Sequence, residues 1–257
     1  MTGSTEADAR AALRARQGPG ARYDAPLAPA CELALARRGT AYFARVLNGL
    51  PDEAFAAPSR LPGWTRARVI AHVGYGARAL ARVVESVRTG ADLPMYESEA
   101  ARASELDLGA SLPPRALRNL FRHAAVHLDV EWRDLSDAGW DGSGRGRDGA
   151  PLAVRATPWL RAREVWLHAV DLDGGGAVRD FPPDLLDRLL AELAAEAGVK
   201  AALAPTDRPG PPATGAGPKV SGRAADLVRW LSGRGMERLS GDLPDDLPTL
   251  PLPRDDG

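Results

Sequence analysis

Four long segments of the chain repeat apolar residues at the three- and four-residue spacing of an amphipathic α-helix. They begin near Cys31, Thr65, Pro113 and Thr157. Each segment can bury one apolar stripe against the others, and the connections between them are short or modest in length. The sequence therefore predicts a mostly α-helical protein built on an antiparallel four-helix bundle, in which functional sites form from side chains on facing helices.

The ends of these segments carry recognisable signals. Thr65 is a candidate N-cap, and Pro113-Pro114 opens the third long helix. A glycine-rich insert at 142–149 interrupts the helical pattern, and we expect a flexible loop there. It does not join a clear strand to a helix, and no phosphate-binding Lys-Ser or Lys-Thr follows it, so nucleotide binding is not indicated. Residues 151–156 are expected to be extended.

The pattern changes after the fourth segment. We expect helices at 183–197 and 223–232, short strands at 200–205 and 219–221, and a loop rich in proline and glycine at 206–218. This mixture predicts a small α/β domain. The expected organisation is an N-terminal extension at 1–29, a helical bundle at 30–176 and an α/β domain at 177–257 that ends in an extended, mobile tail from Asp242.

Composition excludes several classes of protein. The formal net charge is −1, and the arginines alternate with acidic residues, so we expect no nucleic-acid partner. Cys31 is the only cysteine, which excludes an intrachain disulfide and is typical of a reducing cytoplasm. No segment approaches the ~20 apolar residues of a membrane span, so no membrane partner is expected. Nothing in the sequence sets the oligomeric state, although a monomer is slightly favoured.

Three polar residues lie on the arc of the fourth helix that should face the core. Glu164, His168 and Asp171 share that arc with Leu160 and Leu167. Because a buried carboxylate needs a compensating cation, metal or hydrogen-bond network, this face requires a partner. Glu164 and His168 are four residues apart, which suits two ligands of one metal, although such pairs are more often only hydrogen-bonded.

His72 lies at the edge of the apolar stripe of the second long helix and could supply a third ligand. Two imidazoles and one carboxylate with an open fourth position are typical of a catalytic zinc site. His123 and His127 are also four apart, but they lie away from the apolar stripe of their helix, which favours solvent-exposed histidines. No His-Glu-x-x-His motif is present, so a zinc peptidase is not indicated.

Arg234 lies between two glycines just after the last predicted helix. It is either a cation placed near a helix C-terminus or an anion-binding arm where the two domains meet. Its spacing does not choose between these interpretations.

A combination of short motifs resembles a known family, the mycothiol-dependent maleylpyruvate isomerases, whose N-terminal domain is a DinB-like four-helix bundle. The resemblance covers most of residues 30–240. The motifs are Leu61-Pro62-Gly63-Trp64-Thr65-Arg66, Ile70-Ala71-His72-Val73, Pro94-Met95-Tyr96, Glu99-Ala100-Ala101-Arg102, Ala116-Leu117-Arg118-Asn119-Leu120, Leu128-Asp129-Val130-Glu131-Trp132-Arg133, Arg163 to Leu172, Ser221-Gly222 and Gly233-Arg234-Gly235.

The resemblance implies a specific chemistry. His72, Glu164 and His168 would be zinc ligands, and Arg234 would match the C-terminal arginine that the family needs for activity. The cofactors implied are zinc and mycothiol, and the reaction is the cis-trans isomerisation of maleylpyruvate to fumarylpyruvate in gentisate-type aromatic degradation. A zinc-activated mycothiol thiolate would add to the conjugated double bond, allow rotation and leave again.

Three segments depart from the family pattern: the N-terminal extension, the insert at 142–149 and the loop at 206–218. None of them contains a predicted site residue. Two other functions remain open. One is a mycothiol S-transferase acting on another electrophile, and the other is a non-catalytic metal-binding bundle.

Overall fold

The computed structural model describes residues 23–196, 201–208 and 219–241. Its helices are α1 (Ala30–Gly49), α2 (Arg66–Thr89), α3 (Glu99–Ala110), α4 (Pro114–Asp134), α5 (Asp137–Trp140), α6 (Thr157–Asp171), α7 (Pro183–Glu196) and α8 (Ala224–Leu231). Its strands are β1 (Ser143–Arg145), β2 (Pro151–Ala153), β3 (Ala202–Pro205), β4 (Lys219–Gly222) and β5 (Ser240–Gly241). Short 3-10 helices lie at Asp52–Ala56, Val154–Ala156 and Val178–Asp180.

The four long helices α1, α2, α4 and α6 form the predicted bundle. α2 packs along α4, α1 packs along α6, and α2 also contacts α6. The apolar stripes meet in a common core, as their spacing predicts. Its fully buried side chains include Phe43, Leu47, Ile70, Leu117, Leu128 and Leu172. The mostly α-helical fold class is confirmed.

The start of α2, which carries His72, forms as the sequence predicts. The side-chain oxygen of Thr65 accepts a hydrogen bond from the backbone N–H of Arg68 at 3.2 Å, which satisfies one of the free donors of the first turn. The helix ends at Gly90, whose φ of +74° is a left-handed conformation that favours glycine. Both ends of the helix that carries His72 are therefore set by local chemistry.

In place of the predicted loop, residues 143–145 of the glycine-rich insert form a strand, and residues 146–149 lie in the connection from this strand to β2. β1 and β2 pair antiparallel, with Gly144 opposite Leu152. A Cβ atom on Gly144 would lie 2.9 Å from Ser86 Oγ of α2, so the absence of a side chain allows the strand to lie directly on that helix. Of the stretch predicted to be extended, residues 151–153 are a strand, whereas Val154–Ala156 turns into a 3-10 helix.

The C-terminal segment combines helices with a small sheet, as predicted. The strand order is β3-β4-β5, in which β3 and β4 are parallel and β4 and β5 antiparallel. α7 packs against α8, and α8 contacts the sheet. The tail from Asp242, most of the 206–218 loop and most of the N-terminal extension lie outside the described residues. Among the described helices, none has the length and apolar character required to span a bilayer.

Close approach of α1 to α6 depends on Gly39. A Cβ atom at this position would lie 2.6 Å from Trp166 Cδ1 and from Val165 Cγ2 of α6. We expect Gly39→Ala to lower the free energy of unfolding by about 1–3 kcal/mol, since overpacking forces neighbouring side chains to shift. Gly49→Ala on the same helix is the control, because nothing lies within 4 Å of its added Cβ. Urea denaturation of both variants tests this, and equal stabilities would contradict the packing.

Candidate functional site

The structure brings the three predicted metal ligands together where α2 meets α6. His72 Nε2 lies 3.7 Å from Glu164 Oε1. The rings of His72 and His168 meet edge to face, with their centroids 5.0 Å apart. The side chains are nearly buried, at 16% exposure for His72 and Glu164 and 10% for His168. The inward direction predicted for the acid and histidine of α6 is therefore confirmed, although Leu160, placed on the same arc, is 37% exposed.

Arg161 holds the carboxylate of Glu164 from within the core. Its Nη1 donates to Glu164 Oε2 and to the backbone carbonyl of Val73, both at 2.7 Å, and its side chain is 1% exposed. The guanidinium thus compensates the charge of the buried carboxylate, and the other oxygen, Oε1, faces His72. Gly76 of α2 makes room for this oxygen, because a Cβ there would collide with Glu164 Oε1.

His168 is held by a carboxylate and an arginine. Its Nδ1 lies 2.9 Å from Asp171 Oδ2, and because an ionised carboxylate can only accept, the ring donates from Nδ1. Asp171 is completely buried and also accepts from Arg234, whose Nε donates to Oδ1 at 2.8 Å and whose Nη2 donates to Oδ2. Arg234 Nη1 donates to the carbonyl of Ser232 at 2.8 Å. An arginine beyond the bundle thus reaches the end of α6.

Electrostatics set the protonation states of these groups. Burial alone would raise the pKa of Asp171, but the charge of Arg234 and the hydrogen bond from His168 outweigh it and lower the pKa to about 2. Burial lowers the pKa of His72 well below its usual value of 6.5, and neighbouring positive charges lower it further. Those charges belong to His168, Arg102, Arg161 and Arg147. His72 is therefore neutral at pH 7, as a metal-binding imidazole must be.

Sequence reasoning missed several neighbours of the site. Trp64 meets the ring of His72 edge to face at 5.5 Å. Glu99 links two arginines, accepting from Arg102 Nη1 at 2.7 Å and from Arg147 Nε at 2.9 Å. Trp64, Glu99 and Arg102 lie within the family motifs, which is the signal that could have indicated them. Arg147 lies in the glycine-rich insert, where no helical periodicity is present from which the direction of a side chain could be predicted.

The donor set suits zinc in its chemistry, with two imidazoles and one carboxylate oriented by second partners. It is not the tightest cluster of potential ligands. Among the residues that the structure describes, the one group of three whose ligand atoms all lie within 4.8 Å of one another is Glu85, His127 and Glu131. The predicted trio is more open, and one oxygen of Glu164 and one nitrogen of His168 already form hydrogen bonds with other side chains.

His123 and His127 are exposed, as predicted.

Comparisons with known proteins agree with the arrangement of the bundle. Residues 36–173, more than half of the chain, match the family described as the mycothiol maleylpyruvate isomerase N-terminal domain. The chain belongs to this family. The matched region contains all three residues of the His72, Glu164 and His168 trio, whereas Arg234 lies beyond it.

Two solved structures of the family resemble the chain over most of its length. A crystal structure of a mycothiol-dependent maleylpyruvate isomerase is 36% identical, with a TM-score of 0.76, covering 85% of this chain and 95% of that one. A histidine-to-alanine mutant of such an enzyme gives 36% identity and a TM-score of 0.75 with the same coverage. No curated protein matches the chain.

The contact between α2 and Glu164 can be tested with two neighbouring glycines. We expect Gly76→Ala to push the Glu164 carboxylate aside and to weaken zinc binding by about tenfold or more, as loss of an orienting contact typically does. Gly74→Ala is the control, since its Cβ would meet Leu120 of α4 at 2.8 Å and not the site. Both should lower the unfolding midpoint, but only Gly76→Ala should change zinc affinity. Equal zinc affinities would contradict this role for Gly76.

Proposed function

We propose that this protein isomerises maleylpyruvate to fumarylpyruvate with mycothiol as the required thiol, and that His72, Glu164 and His168 hold a zinc ion that serves this reaction. The observation that carries the proposal is family membership, together with 36% identity over 85% of the chain to an enzyme described as a mycothiol-dependent maleylpyruvate isomerase. The convergence of the three side chains in the structure supports it independently.

The reaction requires that a carbon-carbon double bond become single for long enough to rotate. A thiolate adds to one alkene carbon, forming a C–S bond and moving the π electron pair to the conjugated carbonyl oxygen. After rotation the electron pair returns, the C–S bond breaks and the thiolate is released, so nothing is oxidised or consumed. A zinc ion held by the trio would lower the pKa of the thiol and keep it as thiolate at neutral pH.

The chain itself provides orientation rather than the nucleophile. Cys31 is exposed, is not among the side chains of the site and lies in the first turn of α1. Arg161 fixes Glu164, and Asp171 fixes the tautomer of His168, so two of the proposed ligands are set before anything binds. The neutral state of His72 makes its lone pair available without the loss of a proton.

The charges around the site suit a substrate with two carboxylates. Arg234 uses three of its five N–H groups on Asp171 and Ser232, which leaves two for an incoming oxygen among the described contacts. We assign Arg234 to the substrate carboxylate and to the enolate that develops when the thiolate adds. Arg102 and Arg147 also act electrostatically on His72, and both donate to the carboxylate of Glu99.

The wider setting belongs to the same proposal. The enzyme would act in the cytoplasm in gentisate-type aromatic degradation, on a small-molecule substrate. The bundle at 30–176 would carry the zinc and thiol sites, and the domain at 177–257 would contribute Arg234. This division explains why an arginine beyond the bundle pairs with the last residue of α6.

A thiol-dependence assay tests the activity. Purified protein should convert maleylpyruvate to fumarylpyruvate with mycothiol and should show no conversion above background without it, because Cys31, the only cysteine of the chain, is not among the side chains of the site. Product identification by chromatography is essential. Loss of substrate with formation of a stable mycothiol adduct would contradict the isomerase and indicate an S-transferase. The absence of any reaction under both conditions would favour the other alternative, a non-catalytic metal-binding bundle.

Zinc content tests the proposed ligands. We expect His72→Ala and His168→Ala each to lose tightly bound zinc, because each removes one of three protein ligands. His123→Ala is the matched control, since this exposed histidine of α4 has no role in the trio. Metal analysis after exhaustive dialysis measures the outcome. Equal loss of zinc from all three variants would contradict the choice of ligands.

Substitution of Arg234 distinguishes a role in turnover from a role in metal binding. Arg234→Ala should retain zinc but lose about 100-fold or more of kcat, comparable to the loss of a donor that stabilises a developing oxyanion. Arg234→Lys should recover little, because a lysine cannot reproduce the paired contacts of a guanidinium. If Arg234→Ala instead loses zinc, the arginine acts by holding Asp171 and His168, and its assignment to the substrate is wrong.

A further inference from the structure

A second group of potential metal ligands lies on α2 and α4. The ligand atoms of Glu85, His127 and Glu131 are all within 4.8 Å of one another. Glu85 follows His72 by 13 residues on α2, which corresponds to about 20 Å along the helix axis at 1.5 Å per residue. The cluster is therefore separate from the trio proposed to hold the catalytic zinc.

The charges of this cluster are not balanced within the described residues. Glu131 is paired with Arg88, whose Nε donates to Oε2 at 2.8 Å and whose Nη2 donates to Oε1 at 3.1 Å. The carboxylate of Glu85 makes no hydrogen bond or ion pair with the described parts of the chain. Two carboxylates thus share one guanidinium, and His127 adds a ring nitrogen that can ligate a metal. A cation is the group that would compensate the remaining negative charge.

Glu131 and Glu164 each lie between an arginine and a histidine. Arg161 holds one oxygen of Glu164 at 2.7 Å, whereas Arg88 holds both oxygens of Glu131, at 2.8 and 3.1 Å. In each case one carboxylate oxygen lies near an imidazole Nε2, at 3.5 Å for His127 and 3.7 Å for the histidine of the first site. The Glu131 side chain is only 6% exposed, so its position is set by packing rather than by solvent.

We propose that Glu85, His127 and Glu131 form a second metal site, which binds a divalent transition-metal ion of the zinc type. One imidazole nitrogen and two carboxylate oxygens favour such an ion over Mg²⁺, which prefers an all-oxygen shell with several waters. Arg88 can keep its contact with Oε2 while Nη2 releases Oε1 to the metal. Since His127 is 48% exposed, the ion has direct access from solvent.

The proposed ion would link α2 to α4 rather than take part in isomerisation. Two ligands come from α4 and one from α2, so binding connects two helices that pack against each other in the bundle. Because a ligand that binds only the folded state stabilises it by mass action, the thermal midpoint should rise with free zinc. This inference does not depend on the isomerase activity.

Zinc titration of the purified full-length protein tests the site. Isothermal calorimetry and metal analysis of the wild-type protein should give two zinc equivalents. One is the equivalent that His72→Ala loses, and the other is the one proposed at the second site. His127→Ala should bind that extra equivalent at least about tenfold more weakly, since even loss of an orienting partner costs this much. His123→Ala is the matched control, as an exposed histidine one turn away on the same helix, and should keep it. Excess Mg²⁺ should not displace the zinc.

Four results would overturn the proposal. The first is a wild-type protein that binds no extra equivalent. The second is unchanged zinc affinity in His127→Ala, and the third is an equal loss in both histidine variants, which would indicate nonspecific binding by surface histidines. The fourth is a loss of maleylpyruvate turnover in His127→Ala together with its zinc, because the cluster would then be the catalytic metal site and not a second one.

Discussion

The structure depends on how an apolar bundle accommodates the polar face of α6. Arg161, Glu164, His168 and Asp171 all lie on this helix, and all four are buried or nearly so. Their charges are compensated within a short distance: Arg161 pairs with Glu164, and Arg234 pairs with Asp171. A buried ion pair adds little net stability compared with apolar packing, so its presence here is better explained by the positions that it gives to its members.

Those positions also connect the bundle with the chain beyond it. Asp171 is the last residue of α6, and its carboxylate is shared by His168 on the same helix and by Arg234 after α8. Any movement of the C-terminal segment that breaks the arginine pair would leave a buried carboxylate uncompensated beside His168. The carboxylate of Asp171 therefore lies between His168 and Arg234 and contacts both side chains.

Much of this arrangement could be predicted from the sequence, because local periodicity determines it. The four helical segments, the N-cap at Thr65 and the inward direction of Glu164 and His168 all follow from residue spacing. The error at Leu160 shows the limit of an ideal helical arc, since burial depends on which neighbour covers each position. The β1–β2 hairpin was missed because its glycines serve a contact with α2 that no local pattern reveals.

The partners of the site were harder to predict, because they come from distant parts of the chain. Arg234 is 63 residues from Asp171, and although its position between two glycines made it a candidate, no pattern in the sequence pairs it with Asp171. Arg161 was overlooked although it lies one turn from Glu164, since an arginine on a helix is normally solvated. His127 was interpreted as solvent-exposed, and neither Glu85 nor Glu131 was singled out, because local spacing does not reveal that α2 and α4 bring the three side chains together.

A metal held by His72, Glu164 and His168, as proposed, would keep one coordination position open for an external thiol. Zinc K-edge X-ray absorption of the His127→Ala variant, which lacks the proposed second zinc site, measures this coordination with and without mycothiol. We expect only nitrogen and oxygen neighbours around the zinc without the thiol and one sulfur neighbour at about 2.3 Å with it. A sulfur neighbour without mycothiol, or none in its presence, would rule out this role for the metal.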